Sequence, residues 1–221
     1  MIDTLQNIDA SLMLWLNGFH NSFFDSLMFM ITNKWTWVPM YVVMLYVIAN
    51  KFGLKKMLLF VILMFAANFA FADYTCGNLI RNYFARPRPT NIESPIHQFV
   101  HIVNGYRGGH YGFPSCHGAN SFSLALLVFL FFRNKRLTIF IYIWAVLHSY
   151  SRIYLGVHYP GDILAGAIIG SIGAAIVYYA FDYFVHFNKK DEFKNINFIS
   201  NIGIAIFIVL ILVASIKMIF F

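Results

Sequence analysis

Three short stretches of this 221-residue chain carry residue types suited to handling a phosphoryl group. The first is Arg81-Asn82-Tyr83-Phe84-Ala85-Arg86-Pro87-Arg88-Pro89, and the second is Pro114-Ser115-Cys116-His117. The third is Ser151-Arg152, five residues, His158, three residues and Asp162. Guanidinium forks match phosphate oxygens in pairs. A clamp of Arg81, Arg88 and Arg152 would stabilise the charge spread over five-coordinate phosphorus. One imidazole would attack phosphorus to give a phosphohistidine, and the other would protonate the leaving oxygen. Asp162 stands four residues after His158, a spacing that holds an imidazole in one tautomer if the turn folds back. His117 has no such partner in sequence, so the spacing puts the nucleophile at His158 and the general acid at His117. The arginines supply the positive charge and carboxylates are scarce, so no metal and no cofactor is expected.

These residues can meet only if the intervening elements bring several helix ends to one surface. The chain is 60% hydrophobic and 11% charged, with 25 Phe and 13 Tyr, against roughly 25% charged in a soluble domain. That composition excludes a soluble or disordered chain and predicts an all-α, polytopic membrane bundle. Six apolar segments read as transmembrane helices, one of them short: 35–49, 57–80, 119–132, 137–151, 163–185 and 198–220. Residues 1–33 read as amphipathic helices lying on the membrane surface, with a short span over 23–31 as the competing reading. Residues 34–186 form the expected catalytic core, and 187–221 a cytoplasmic loop with one added transmembrane helix. The opening MIDTLQNID has no basic segment and is not expected to be a cleaved signal.

Nine basic residues fall in alternate short loops: Lys51, Lys55 and Lys56; Arg133, Lys135 and Arg136; Lys189, Lys190 and Lys194. The positive-inside rule assigns those loops to the cytoplasm. Arg81, Arg86, Arg88, Arg107 and Arg152 lie on the other side against that bias, which predicts a chemical reason for them. The net charge of +7 is therefore topology plus one local cluster, and a nucleic-acid partner is not expected. Pro87 and Pro89 must end the helix before Arg88, leaving Arg81 in its last turn. Pro-Ser before an apolar run marks a helix start, whose free N–H groups suit an anion. All three stretches should then emerge on one face.

The same residues resemble the signature of the type 2 phosphatidic acid phosphatases (PAP2), integral-membrane lipid phosphatases related to vanadium haloperoxidases. The family pattern of Lys, six residues and Arg-Pro corresponds to Arg81 through Arg88-Pro89. Pro-Ser-Gly-His corresponds to Pro114 through His117, and the third pattern matches Ser151, Arg152, His158 and Asp162 without a gap. The resemblance covers about residues 57–185 and implies a PAP2-like helical core. It implies His158 as nucleophile, Asp162 as its orienting partner and His117 as general acid. It further implies Arg81, Arg88 and Arg152 as the phosphate clamp, with Ser115 and the amide of Cys116 as added phosphate donors. Two positions depart from the pattern: Arg81 replaces a lysine and Cys116 a glycine. If the glycine position needed a positive φ, a cysteine would cost about 1 kcal/mol; an ordinary helix start would need only room.

Three further residues are candidates for supporting roles. Asp73 lies within a span, where a carboxylate needs a partner, as an anchor for the site or a packing contact. Arg107, seven residues before Pro114, is a candidate substrate contact. His148, one turn before Arg152, either buttresses that arginine or satisfies its own contacts. Cys76 and Cys116 both fall near the outer face, as a disulfide or as small buried residues. Gly161, Gly166, Gly170 and Gly173 predict a smooth helix face for close packing.

A transporter would place its polar groups near the bilayer midplane, and a degenerate binder would lack one of His117, His158 and Asp162. The expected activity is thus metal-independent hydrolysis of a lipid phosphate ester or diphosphate, presented by the bilayer at the outer face of a bacterial inner membrane. Undecaprenyl diphosphate leads on analogy alone. Phosphatidylglycerophosphate, phosphatidic acid and lipid A 1-phosphate are the alternatives.

Overall fold

The computed structural model describes residues 2–52, 56–187 and 192–220. Its helices are α1 (Ile2–Asn17), α2 (Ser22–Ile31), α3 (Val38–Phe52), α4 (Lys56–Tyr74), α5 (Arg81–Phe84), α6 (Cys116–Phe132), α7 (Lys135–Tyr154), α8 (Pro160–Val185) and α9 (Asn197–Phe220). A π-helical stretch, Thr75–Ile80, joins α4 to α5, so the two run as one rod. Each of the six apolar segments is helical. Among the described residues, three helices are long and apolar enough to cross a membrane: Met57–Phe84, Pro160–Val185 and Asn197–Phe220. The 17 residues of α6 reach about 25 Å at 1.5 Å per residue, and α7 carries His148, Ser149, Ser151 and Arg152 at one end.

Two of these helices begin about three residues earlier than the apolar runs imply, because polar residues start them. Ser115 Oγ accepts from Gly118 N at 3.2 Å to cap α6. Pro160 opens α8, where Asp162 Oδ2 accepts from Tyr159 N at 3.0 Å. The glycine face of α8 lets it reach the backbone of α6: a Cβ on Gly166 or Gly170 would run into the carbonyl of Ser115 or Ala119. That approach joins the starts of the two helices, where Ser115 N donates to Asp162 O at 3.0 Å.

The N-terminal helices differ from one another. α1 exposes Leu5, Ile8, Leu12 and Trp15 at helical spacing while Met13 and Asn17 face the protein. α2 instead enters the main core through Leu27, Met28 and Ile31, so it is not a surface-lying helix. Next to it Trp37 packs edge-on to Trp144 (5.7 Å) and Phe207 (4.9 Å). Phe52, Phe131, Phe187 and Phe193 meet at the opposite end of the bundle from the three phosphoryl-handling stretches. Their clustering gathers the ends of α3, α6 and α8 and the start of α9 near Lys51, Arg133, Lys135, Arg136 and Lys194. Lys55, Lys189 and Lys190 lie outside the described residues.

Candidate active site

The three stretches line one cavity of about 400 Å³, with Arg81, Arg88, Arg152, His117, His158 and Cys116 in its walls. Local backbone geometry delivers them. Ala85, at φ +43°, ends α5 and turns the chain back, and the returning segment is held by Gly112 N to Arg86 O at 2.9 Å. Arg81 therefore leaves from a helical turn and Arg88 from the returning segment, as the prolines require. Arg81 Nη2 donates to Pro114 O at 3.0 Å, and Arg152 donates to Thr32 Oγ1 at 2.7 Å and Tyr106 Oη at 3.1 Å. The Nε groups of all three arginines are buried without a hydrogen-bond partner. Three guanidinium groups around one cavity are what a tetrahedral oxyanion would satisfy.

Arg88 Nη1 donates to Val157 O and lies 2.8 Å from His158 Nε2. On the other side of that ring, Nδ1 faces Asp162 Oδ2 at 3.3 Å. With Arg88 donating to Nε2, the network assigns the proton to Nδ1 and the Nε2 lone pair to Arg88, in the wall of the cavity. Burial holds the pKa of His158 well below the ordinary imidazole value, and Arg88, Arg152 and Arg81 push it further down. Arg88 is itself lowered to about 10, by burial first and then by Arg152 and Arg81, and stays charged at neutral pH.

Two residues that the sequence reading assigned no role complete this arrangement. Arg86 Nη1 lies 3.0 Å from Asp162 Oδ1 and 2.7 Å from Asp9 Oδ2, and its guanidinium stacks 3.7 Å from the centre of the Tyr159 ring. Arg86 was visible as a cation on the unexpected side. Asp9, in a distant helix, gave no local signal.

The His117 ring stacks on His148 at 5.6 Å, and His148 stacks on Trp144 at 5.0 Å. His148 Nδ1 pairs with Ser121 Oγ at 2.9 Å, and the ring also hydrogen-bonds the backbone of Thr32, the residue whose hydroxyl holds Arg152. A second cavity of about 520 Å³ adjoins His117 and is lined by Lys34, Tyr41, Asp73, Asn120, Ser121 and Trp144 among others. Asp73 belongs to both cavities; Asn120 Nδ2 approaches its Oδ1 at 3.4 Å. Arg107 is turned away, its Nη1 donating to Thr90 O at 2.9 Å, and it lines a separate groove. Ser115 Oγ is engaged as the α6 cap. Cys76 and Cys116 are both free thiols, so the disulfide alternative does not hold. Among the described residues, no group of three or more His, Cys, Asp or Glu side chains is placed to hold a metal.

The PAP2 superfamily profile matches residues 56–186, more than half of the chain. The chain belongs to the PAP2 superfamily. It is 48% identical to a lipid A 4'-phosphatase of Bacteroides thetaiotaomicron over 179 residues, covering 81% of this chain and 79% of that protein. A lipid A 4'-phosphatase of Porphyromonas gingivalis is 36% identical over 182 residues (82% and 76% covered). A putative undecaprenyl-diphosphatase of Escherichia coli is 30% identical over 174 residues (76% and 80%). The fold matches the crystal structure of the PAP2-type phosphatidylglycerolphosphate phosphatase of Bacillus subtilis with a TM-score of 0.61 at 20% identity, covering 85% of this chain and 90% of that one.

As a multi-pass PAP2 lipid phosphatase, the protein departs from the family motifs at two positions, and the two touch. Arg81 Nη2 lies 2.8 Å from Cys116 Sγ. Cys116 is the first residue of α6 and has no positive φ, so the glycine of the family motif is replaced without backbone strain. The sulfur fills the space beside a guanidinium that is broader than the usual ammonium.

Proposed function

We propose that this PAP2 phosphatase removes a phosphate monoester from the sugar headgroup of a lipid A-type glycolipid at the outer face of a bacterial inner membrane. This replaces the undecaprenyl diphosphate expectation: the two lipid A 4'-phosphatases are similar at 48% and 36%, the undecaprenyl-diphosphatase at 30%. The observation that carries the reading is the wall beside His117. A diphosphate substrate would set a second phosphate there and call for cations. Among the described residues, the wall instead sets a single cation, Lys34, beside the Asp73 carboxylate and the Asn120 amide, partners for the hydroxyl and amide groups of a sugar. Lys34, the basic residue of that wall, holds its Nζ 5.5 Å from the Trp35 ring centre.

In this mechanism Arg81, Arg88 and Arg152 bind the phosphate oxygens, and Arg88 moves its donor from His158 Nε2 to the phosphate. Nε2 attacks phosphorus as the bond to the sugar oxygen breaks, and protonated His117 gives that oxygen a proton. Asp162 holds the Nδ1 proton and stabilises the charged ring. Water, deprotonated by His117, then cleaves the phosphorus–nitrogen bond and restores His158. Charge on phosphorus is met by guanidinium groups, so turnover is metal-independent. The basic loops face the cytoplasm and the site the periplasm, with six crossings in residues 34–221 and α1 on the outer surface.

Phosphate release by purified protein in detergent with EDTA tests this against a phosphoglycolipid, undecaprenyl diphosphate and phosphatidic acid. The glycolipid should give the highest kcat/KM. Faster turnover of undecaprenyl diphosphate would sink the sugar assignment.

A further inference from the structure

Asp162 is buried to 0% exposure, yet one of its oxygens is tied to the N-terminal helix. A single nitrogen, Arg86 Nη1, joins Asp162 Oδ1 (3.0 Å) to Asp9 Oδ2 (2.7 Å). The other Asp9 oxygen accepts from Gly161 N at 2.7 Å, in the first turn of α8. This contact is built into the backbone: a Cβ on Gly161 would stand 2.7 Å from Asp9 Oδ2. At its far end α1 is pinned by Asn17, whose Nδ2 donates to Tyr154 O at 2.7 Å and whose Oδ1 accepts from His101 N at 2.7 Å. The helix is thus a strut fixed at Asn17 that reaches the Tyr159–Asp162 turn at Asp9.

The electrostatics give this strut a task. Asp162 must keep Oδ2 on His158 Nδ1 while Arg86 attracts Oδ1. A guanidinium held by Asp162 alone would pull the carboxylate away from His158, against the bond from Tyr159 N to Oδ2 (3.0 Å) that seats it in the turn. Asp9 takes a share of Arg86 and anchors the turn that carries Asp162, leaving Oδ2 between the Tyr159 amide and the imidazole.

We propose that Asp9 and Arg86 are positioning residues of the phosphatase, Asp9 acting through Arg86 and the Gly161 amide to hold Asp162 on His158. The inference rests on His158 being the nucleophile proposed above. It makes α1 a working part of the site, although the helix lies outside the region matched by the family profile.

The test uses full-length protein in proteoliposomes, with Asp9→Asn, Arg86→Gln, the double variant and Asp9→Glu, assayed on an aryl phosphate and a phosphoglycolipid. Misaiming an attacking group by about 1 Å costs on the order of 100-fold, so each single variant should lose ten- to 100-fold in kcat with KM within about twofold. Residues acting as one unit do not add, so the double variant should be no slower than the worse single one. Asp9→Glu, which keeps the charge, should recover part of the loss. Inhibition by vanadate at unchanged concentration should show that the arginine clamp survives in every variant. Wild-type kcat in Asp9→Asn, multiplying losses in the double variant, or vanadate inhibition lost together with kcat would each overturn the inference. A wild-type protein inert on both substrates would instead overturn the phosphatase reading, and this inference with it.

Discussion

His117 and His158 place the same ring in different surroundings, and alanine variants separate their work. His158→Ala should be inactive on every substrate, because no phosphohistidine can form. His117→Ala should lose about 10²- to 10⁴-fold on a lipid alkyl phosphate but be partly spared on an aryl phosphate, whose leaving group needs little protonation. Acid-quenched His117→Ala should carry label on residue 158; label on residue 117 in the wild type would reverse the roles. The pH dependence follows from the same surroundings. Burial and three arginines keep His158 unprotonated below the usual imidazole range, so the acid limb of kcat/KM should fall below pH 6.5. The linkage has the same sign: the unfolded chain takes up a proton near pH 6.5 that folded His158 refuses, so stability falls as pH drops below that value. An acid limb at or above pH 6.5 would count against His158 as the titrating nucleophile.

At the scale of elements, the contact of α6 with α8 sets the site, because it brings Ser115 and Asp162 to one place. Gly170→Val would force a branched side chain into the Ala119 carbonyl, and overpacking of this kind costs about 1–3 kcal/mol or more. Thermal unfolding in detergent should show that loss together with a fall in activity. Ile172→Val, on the exposed side of the same helix, should move neither measurably. A Gly170→Val protein with unchanged midpoint and activity would mean that the two helices need not meet at this distance.

For the whole molecule, the basic loops and the arginine cavity occupy opposite ends of the bundle. A cysteine placed at residue 134 should label from the cytoplasm of intact cells, and one at residue 98 from outside. Labelling of both from one side would separate the loops from the assigned faces. Activity should persist in EDTA and be inhibited by vanadate, which adopts the five-coordinate geometry of phosphorus in transfer. An absolute requirement for Mg²⁺ with a defined lipid would argue against an all-arginine clamp.

Helix class, the positions of the six apolar helices and the arginine–histidine–aspartate motifs were legible in the sequence because each depends on local rules. Apolar run length reports a helix, Pro87 and Pro89 must stop one, Ser115 caps one, and His158 and Asp162 lie within one turn. The glycine face of α8 could be read in the same way, since small residues at helical spacing permit only close approach. The reach of distant side chains was decided by the tertiary structure. No local pattern ties Asp9 to Arg86, turns Arg107 toward Thr90, stacks His148 on His117 or sets Cys116 against Arg81. α2 likewise joined the core because α9 and α7 supplied an apolar partner that its own ten residues could not reveal. The residue types of the candidate site belong to the sequence; their aim belongs to the packing, because an imidazole and a carboxylate acquire direction only from the groups that close around them.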